Sequence, residues 1–124
     1  MKSLGQLLQT GDWKGEKHVP VIHAPEKVKS NEDFDLKVSI GDEIKHPNTL
    51  EHHISWIKVF FHPQGDKFPI ELANFNFSAH GEGSIFTESV GLSSIKLSKS
   101  GTIYALSYCN IHGLWENSKD IVVE

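Results

Sequence analysis

From Phe34 the chain alternates: Phe34, Leu36, Val38 and Ile40 are apolar, while Asp35, Lys37 and Ser39 between them are polar. A period of two puts the apolar set on one face and the polar set on the other, as a half-buried strand requires. Ile54 to Phe61, Phe75 to Phe77, Ile95 to Leu97, Ile103 to Tyr108 and Ile121 to Val123 also read as strands, rich in β-branched and aromatic residues. Pro63, Gln64-Gly65-Asp66, Gly91 and Ser100-Gly101 read as the turns between them. One helical pattern precedes them, in which Leu4, Leu7 and Leu8 share a side, Ser3 is placed to cap and Gly11 to stop. Short strands without intervening helices predict an all-β fold, an immunoglobulin-like antiparallel sandwich or barrel. No repeat, linker or low-complexity stretch divides the chain, and 124 residues suit one domain, 1–124.

Composition narrows the function classes. Hydrophobic residues make up 38% and charged residues 23%, inside the globular range, so neither disorder nor a membrane protein is expected. No apolar run approaches the roughly 18 to 20 residues that cross a bilayer, and the N-terminal MKSLGQLLQTGDW lacks the apolar stretch of a signal peptide. A cytoplasmic protein is expected. A net charge of −4 without any Lys/Arg cluster argues against a nucleic-acid partner, which needs phosphate neutralisation. The single cysteine, Cys109, cannot form an intrachain disulfide, consistent with a reducing compartment. Eight histidines are an excess, and His46, His52 and His53 fall within eight residues. Histidine is the commonest metal ligand, so metal binding enters here.

The histidines and the cysteine sit at predicted strand ends, where a rigid scaffold presents functional loops. Cys109 and His112 form Cys-x-x-His in YCNIHG, a spacing that wraps a thiolate and an imidazole around one ion. Alone that pattern is weak, because cysteine commonly packs as a small hydrophobe. The HPNTLEHH segment, His46 to His53, strengthens it. Zinc modules usually bring two or more cysteines, so one cysteine among several histidines suits iron or copper at least as well.

Three segments, EKHVPV (Glu16 to Val21), HPNTLEHHI (His46 to Ile54) and YCNIHGLWE (Tyr108 to Glu116), resemble those of the one-iron superoxide reductases, or neelaredoxins, and of the catalytic domain of desulfoferrodoxin. The resemblance spans nearly the whole chain. It implies a mononuclear non-haem iron with His18, His46, His52 and His112 as equatorial ligands and Cys109 as the axial thiolate. It also selects His52 over His53, a choice that periodicity leaves open. The same resemblance implies that Glu16 occupies the sixth position in the oxidised state and that Lys17 attracts the substrate. The implied reaction is one-electron reduction of superoxide to hydrogen peroxide without oxygen release. A rubredoxin or similar small redox protein is the implied donor, and a homo-oligomer, a tetramer, the implied assembly. With one cysteine the chain cannot carry the four-cysteine iron domain of the two-iron relatives.

The chemistry gives the parts reasons. Superoxide reduction needs a metal that changes valence and offers an open position, which zinc does not. Backbone N–H groups from Asn110 to His112 are placed to bond the cysteine sulfur and tune it. Lys17 supplies a local positive field for an anion approaching a negative protein. Lys45, where most relatives have proline, is expected to supplement that field. His80 to Glu88 is shorter than the corresponding region of relatives, which contributes to their subunit contacts; within it His80, in AHGE, is assigned hydrogen bonding. His23, His53 and His62 are read as structural or surface residues, and Trp13, Trp56 and Trp115 as core or rim aromatics. Two other readings remain: a blue-copper electron carrier, for which the only methionine, Met1, is no axial ligand, and a non-enzymatic zinc-stabilised domain.

Overall fold

Strand-forming residues dominate the chain, and the computed structural model, which describes residues 1–124, folds them into two sheets. The strands are β1 (Val21–His23), β2 (Lys27–Val28), β3 (Phe34–Ser39), β4 (Ile54–Pro63), β5 (Ile70–Asn76), β6 (Val90–Ile95), β7 (Gly101–Cys109) and β8 (Gly113–Val123). One sheet has the order β1-β3-β6; the other has the order β2-β8-β7-β4-β5. All pairs are antiparallel except β2 with β8. The expected sandwich is therefore observed.

Alternation works as predicted where strands face each other. Leu36 and Val38 of β3, Ile57 and Val59 of β4, and Ile103 and Ala105 of β7 are all fully buried, at 0% exposure. Burying each large aliphatic side chain contributes about 1.5–3 kcal/mol. Ile121 joins them from β8, and Cys109 closes the core at the end of β7. Cys109 thus lies where the core meets the loops.

Several boundaries differ from the expectation. The helix is one turn, Leu4–Leu7, tied by the Ser3 N–H donating to Gln6 Oε1 at 2.9 Å. It stops before Gly11 because Leu8 is already extended and Gln9 bridges to Trp115. β5 and β6 begin at Ile70 and Val90 rather than Phe75 and Ile95, and β8 begins at Gly113 rather than Ile121. Of β8 only Trp115 and Ile121 are buried, so its polar sequence hid a strand that β7 specifies by pairing. β1 and β2, at three and two residues, are too short for a periodic signal. Gly91 is no turn: it pairs with Val38 inside β6, and a Cβ there would collide with the Phe75 ring. That glycine lets the two sheets approach.

Candidate metal centre

Three stretches meet at one end of the sandwich. Cys109 ends β7, and the three residues Asn110 to His112 turn the chain into β8, with Cys109 paired to Gly113. Gly113 takes φ +81°, the left-handed conformation that closes a three-residue hairpin and that glycine adopts without steric cost. The Cys109–Ile54 pairing brings the start of β4, and so the preceding His52, beside the cysteine. His18 is 6% exposed and lies in the stretch leading to β1, where its carbonyl accepts a 3.4 Å hydrogen bond from buried Ser107 Oγ.

The ligating atoms of His18, His46, His52 and Cys109 all lie within 4.8 Å of one another. His112 lies beside this group, its Nδ1 3.1 Å from His18 Nε2 and 3.8 Å from Cys109 Sγ. Ring centroids of consecutive imidazoles are 4.8 Å apart from His18 to His46, 4.7 Å from His46 to His52, 5.0 Å from His52 to His112 and 4.7 Å from His112 to His18. His18 and His52 are 6.5 Å apart across this ring, near the ratio of a square's diagonal to its side. Cys109 Sγ is 3.5 Å from His46 Nε2 and 3.8 Å from His112 Nδ1, two opposite corners. A sulfur near opposite corners sits off the square and towards its centre. The arrangement is a ring of four imidazoles with one sulfur against it.

The donor set fits a metal. Nε2 of His52 is buried and has no hydrogen-bond partner, a cost of about 1–3 kcal/mol that a cation in the cluster would remove. Two nitrogen ligands at right angles, each roughly 2.1 Å from an ion, lie about 3 Å apart, and His18 Nε2 and His112 Nδ1 are 3.1 Å apart. His46 Nδ1 donates to Pro47 O at 2.7 Å, leaving the Nε2 lone pair for the cluster. Burial, the largest cause, pulls His46 down to about 4 despite the bond to Pro47, and burial likewise lowers His52. Both shifts favour the neutral ring, the form that binds a metal.

Neighbouring groups aim these side chains. His18 Nδ1 donates to Glu16 Oε1 at 2.6 Å, and the same oxygen accepts the His18 backbone N–H at 3.0 Å. This bond is the main reason the Glu16 carboxyl lies below its ordinary range. Glu16 is thus on the outer edge of the ring, away from the Nε2 that faces the cluster. Trp115 stacks on His18 with centroids 4.7 Å apart and 13° between planes, and its Nε1–H donates to His112 O at 3.2 Å. Its role at the site was not legible from sequence; the partner ring is 97 positions away in the chain.

The turn after Cys109 departs in detail from expectation. Only one of its N–H groups acts as foreseen, that of His112, which donates to the sulfur at 3.3 Å. The Asn110 N–H is turned away, to His53 O at 3.2 Å, because Asn110 stitches the hairpin to the other ligand segment. Its Oδ1 accepts the His53 N–H at 2.9 Å and its Nδ2–H donates to Glu51 O at 3.0 Å. His53 stacks on His80 instead of joining the cluster. His23 binds Asp42 and His62 binds Asp66 O, both away from it. Lys17 is half-buried, and its charge is felt at His46, His52 and Glu16. Lys45 is exposed.

Known proteins share this arrangement of elements. The desulfoferrodoxin profile matches residues 10–118. A Thermotoga maritima homologue is 55% identical over 98% of both chains, and the neelaredoxin of Megalodesulfovibrio gigas is 46% identical over 95% of this chain and 96% of its own. The solved superoxide reductase (neelaredoxin) of Archaeoglobus fulgidus in the reduced form superposes with a TM-score of 0.86 at 45% identity, covering 94% of this chain and 98% of that one. With fold, motif order and sequence in agreement over almost the whole length, the chain belongs to the desulfoferrodoxin family.

Proposed function

We propose that this protein is a superoxide reductase, an oxidoreductase that takes superoxide to hydrogen peroxide at one mononuclear non-haem iron. The observation that carries the reading is the square of four imidazoles over a buried cysteine sulfur, with His52 Nε2 buried and unpartnered within it. In this reading His18, His46, His52 and His112 hold the iron by nitrogen and Cys109 by its thiolate. Bound there, the iron supplies the single electron that the substrate accepts.

The chain's own groups do the remaining work. Glu16 fixes the His18 tautomer by accepting from Nδ1, so that Nε2 keeps its lone pair for the site. A ligand role for Glu16 in the oxidised state would require its carboxylate to leave that bond. The His112 N–H on the sulfur moderates thiolate donation. Lys17 draws the anionic substrate towards the cluster. Five donors exceed a trigonal copper site, and the electron needed at each turnover comes from a rubredoxin-like donor. No helix is long and apolar enough to cross a membrane, and the single buried free cysteine suits the cytoplasm we assign. One core cluster supports a single domain over 1–124, and the homo-oligomer, a tetramer, that the motif resemblance implies is part of the same reading.

The test is superoxide consumption by protein of known iron content, with peroxide and oxygen followed together. One iron per chain, a visible thiolate band after ferricyanide oxidation that Cys109→Ser lacks, and peroxide without oxygen are expected. Stoichiometric zinc or copper in place of iron, or oxygen release from consumed superoxide, would overturn the reading.

A further inference from the structure

The segment from His46 to His53 carries two imidazoles of the square but contains no helix or strand. Beside it lies His80, only 6% exposed, with both ring nitrogens bonded. Nδ1 is 2.8 Å from Asn48 Oδ1, and Nε2 is 2.7 Å from Phe77 O. The Phe77 carbonyl can only accept. Asn48 is oriented from its other end, where Nδ2–H donates to Thr87 O at 3.0 Å. Reversing that amide would set two carbonyl oxygens against each other, so Oδ1 faces His80 and also only accepts. Two acceptors require two N–H groups, and a neutral imidazole has one.

We propose that His80 is a positioning residue of the metal centre: a buried imidazolium that braces the His46–His53 segment and keeps a fixed positive charge behind it. The proposal rests on His46 and His52 being ligands. Bracing acts through two contacts. One is the bond to Asn48, two residues beyond His46. The other is the face of His53, whose ring lies parallel to His80 with centroids 3.6 Å apart and 4° between planes. A cation against an aromatic face is attracted by the ring electrons. His53 is tied in turn, its Nδ1 donating to Thr49 O at 2.9 Å and its backbone N–H to Asn110 at 2.9 Å. The Glu82 carboxylate accepts the backbone N–H of His80 at 2.7 Å and supplies negative charge at the exposed edge. A fixed cation near the site favours the ferrous over the ferric state, because its Coulomb repulsion grows with the charge on the metal.

Ring-nitrogen NMR on zinc-loaded, nitrogen-15-labelled wild type, well above neutral pH, tests the charge directly. Two protonated, slowly exchanging ring nitrogens on His80 are expected; a bare nitrogen overturns the imidazolium whatever the variants do. Iron-loaded His80→Gln keeps one donor without the charge, and His80→Phe keeps a ring over His53 without hydrogen bonds. Both are expected to weaken iron retention against a chelator by about tenfold, the lower end for outer ligand partners, and to lower the midpoint potential of protein that remains iron-loaded. An unchanged potential and unchanged retention in folded variants would overturn the positioning role. Wild-type protein that takes up no iron would sink the ligand assignment instead, while the NMR result would still decide the state of His80.

Discussion

The hairpin Cys109–Gly113 and the segment Gly41–His53 bring candidate ligands to the same cluster by opposite means. In the hairpin, paired flanking residues and one left-handed glycine set the geometry, so neighbours in sequence suffice. The longer segment has no ladder of its own, and side chains hold it from outside. At its start Asp42 accepts from Ser39 Oγ at 2.6 Å and from His23 Nε2 at 2.8 Å. Asn48 is held by Thr87 and His80, and at its end Asn110 reaches across from the hairpin. One ligand segment is built by local rules and the other by tertiary bonds, so they should fail differently.

The largest effect is expected from the hairpin's cysteine. Cys109→Ala removes the only thiol and opens a void at the fully buried end of the core. Superoxide reduction should fall to the rate of iron-free protein, and the thiolate band should disappear; retention of either would show that Cys109 is not a ligand. Asn110→Ala comes next because it cuts the stitch between the two segments. Its side chain makes two bonds to the longer segment, worth about 1 kcal/mol each. A lowered denaturation midpoint with faster iron loss to chelator is expected, and Asn110→Asp, which keeps the acceptor for His53, should recover part of it.

Acid should act on the longer segment first. His46 lies at about 4, well below the ordinary 6.5, because it is buried, and burial lowers His52 as well. The unfolded chain therefore binds more protons than the folded one between those limits, and stability falls as pH drops from about 6.5 towards 4. Denaturation midpoints of chelator-stripped protein at neutral pH and near pH 5 check the sign. Equal midpoints would mean that these rings are not held neutral. Iron-loaded protein should show a steeper dependence, because protons also compete with metal for the nitrogens.

What could be read from sequence follows the same division. The β3 alternation was legible because that strand has one buried face, and β4 and β7 were legible as strands by their β-branched and aromatic residues. Cys-x-x-His was legible because its geometry is local. The choice between His52 and His53 was not, since β4 begins only at Ile54 and its pairing with β7 shifts register between Ile54 and Trp56, so alternation cannot be extended backwards. The motif resemblance selected His52, and the structure sets that ring in the square while His53 turns to His80. His80 was read as hydrogen-bonding and Trp115 as a core or rim aromatic, but their partners, like those of the Asn110 side chain, escaped because each contact is made only when distant segments meet.

The smallest predicted effect separates two lysines on two of the segments that form the site. Lys17 and Lys45 each adjoin a ligand in sequence, and both were expected to attract the anion. Folding distinguishes them. Lys17 is half-buried and its charge is felt at His46, His52 and Glu16, whereas Lys45 is exposed, where solvent screens it. Lys17→Ala should therefore slow the bimolecular reaction with superoxide several-fold and flatten its dependence on ionic strength, because a focused charge raises the encounter rate. Lys45→Ala should change the rate far less and leave stability within about 0.5 kcal/mol, as surface substitutions do. Fast-mixing or pulse measurements of both variants across low ionic strengths decide the matter: equal losses would mean that the field is spread around the rim, and a loss confined to Lys45→Ala would move its source to the longer segment.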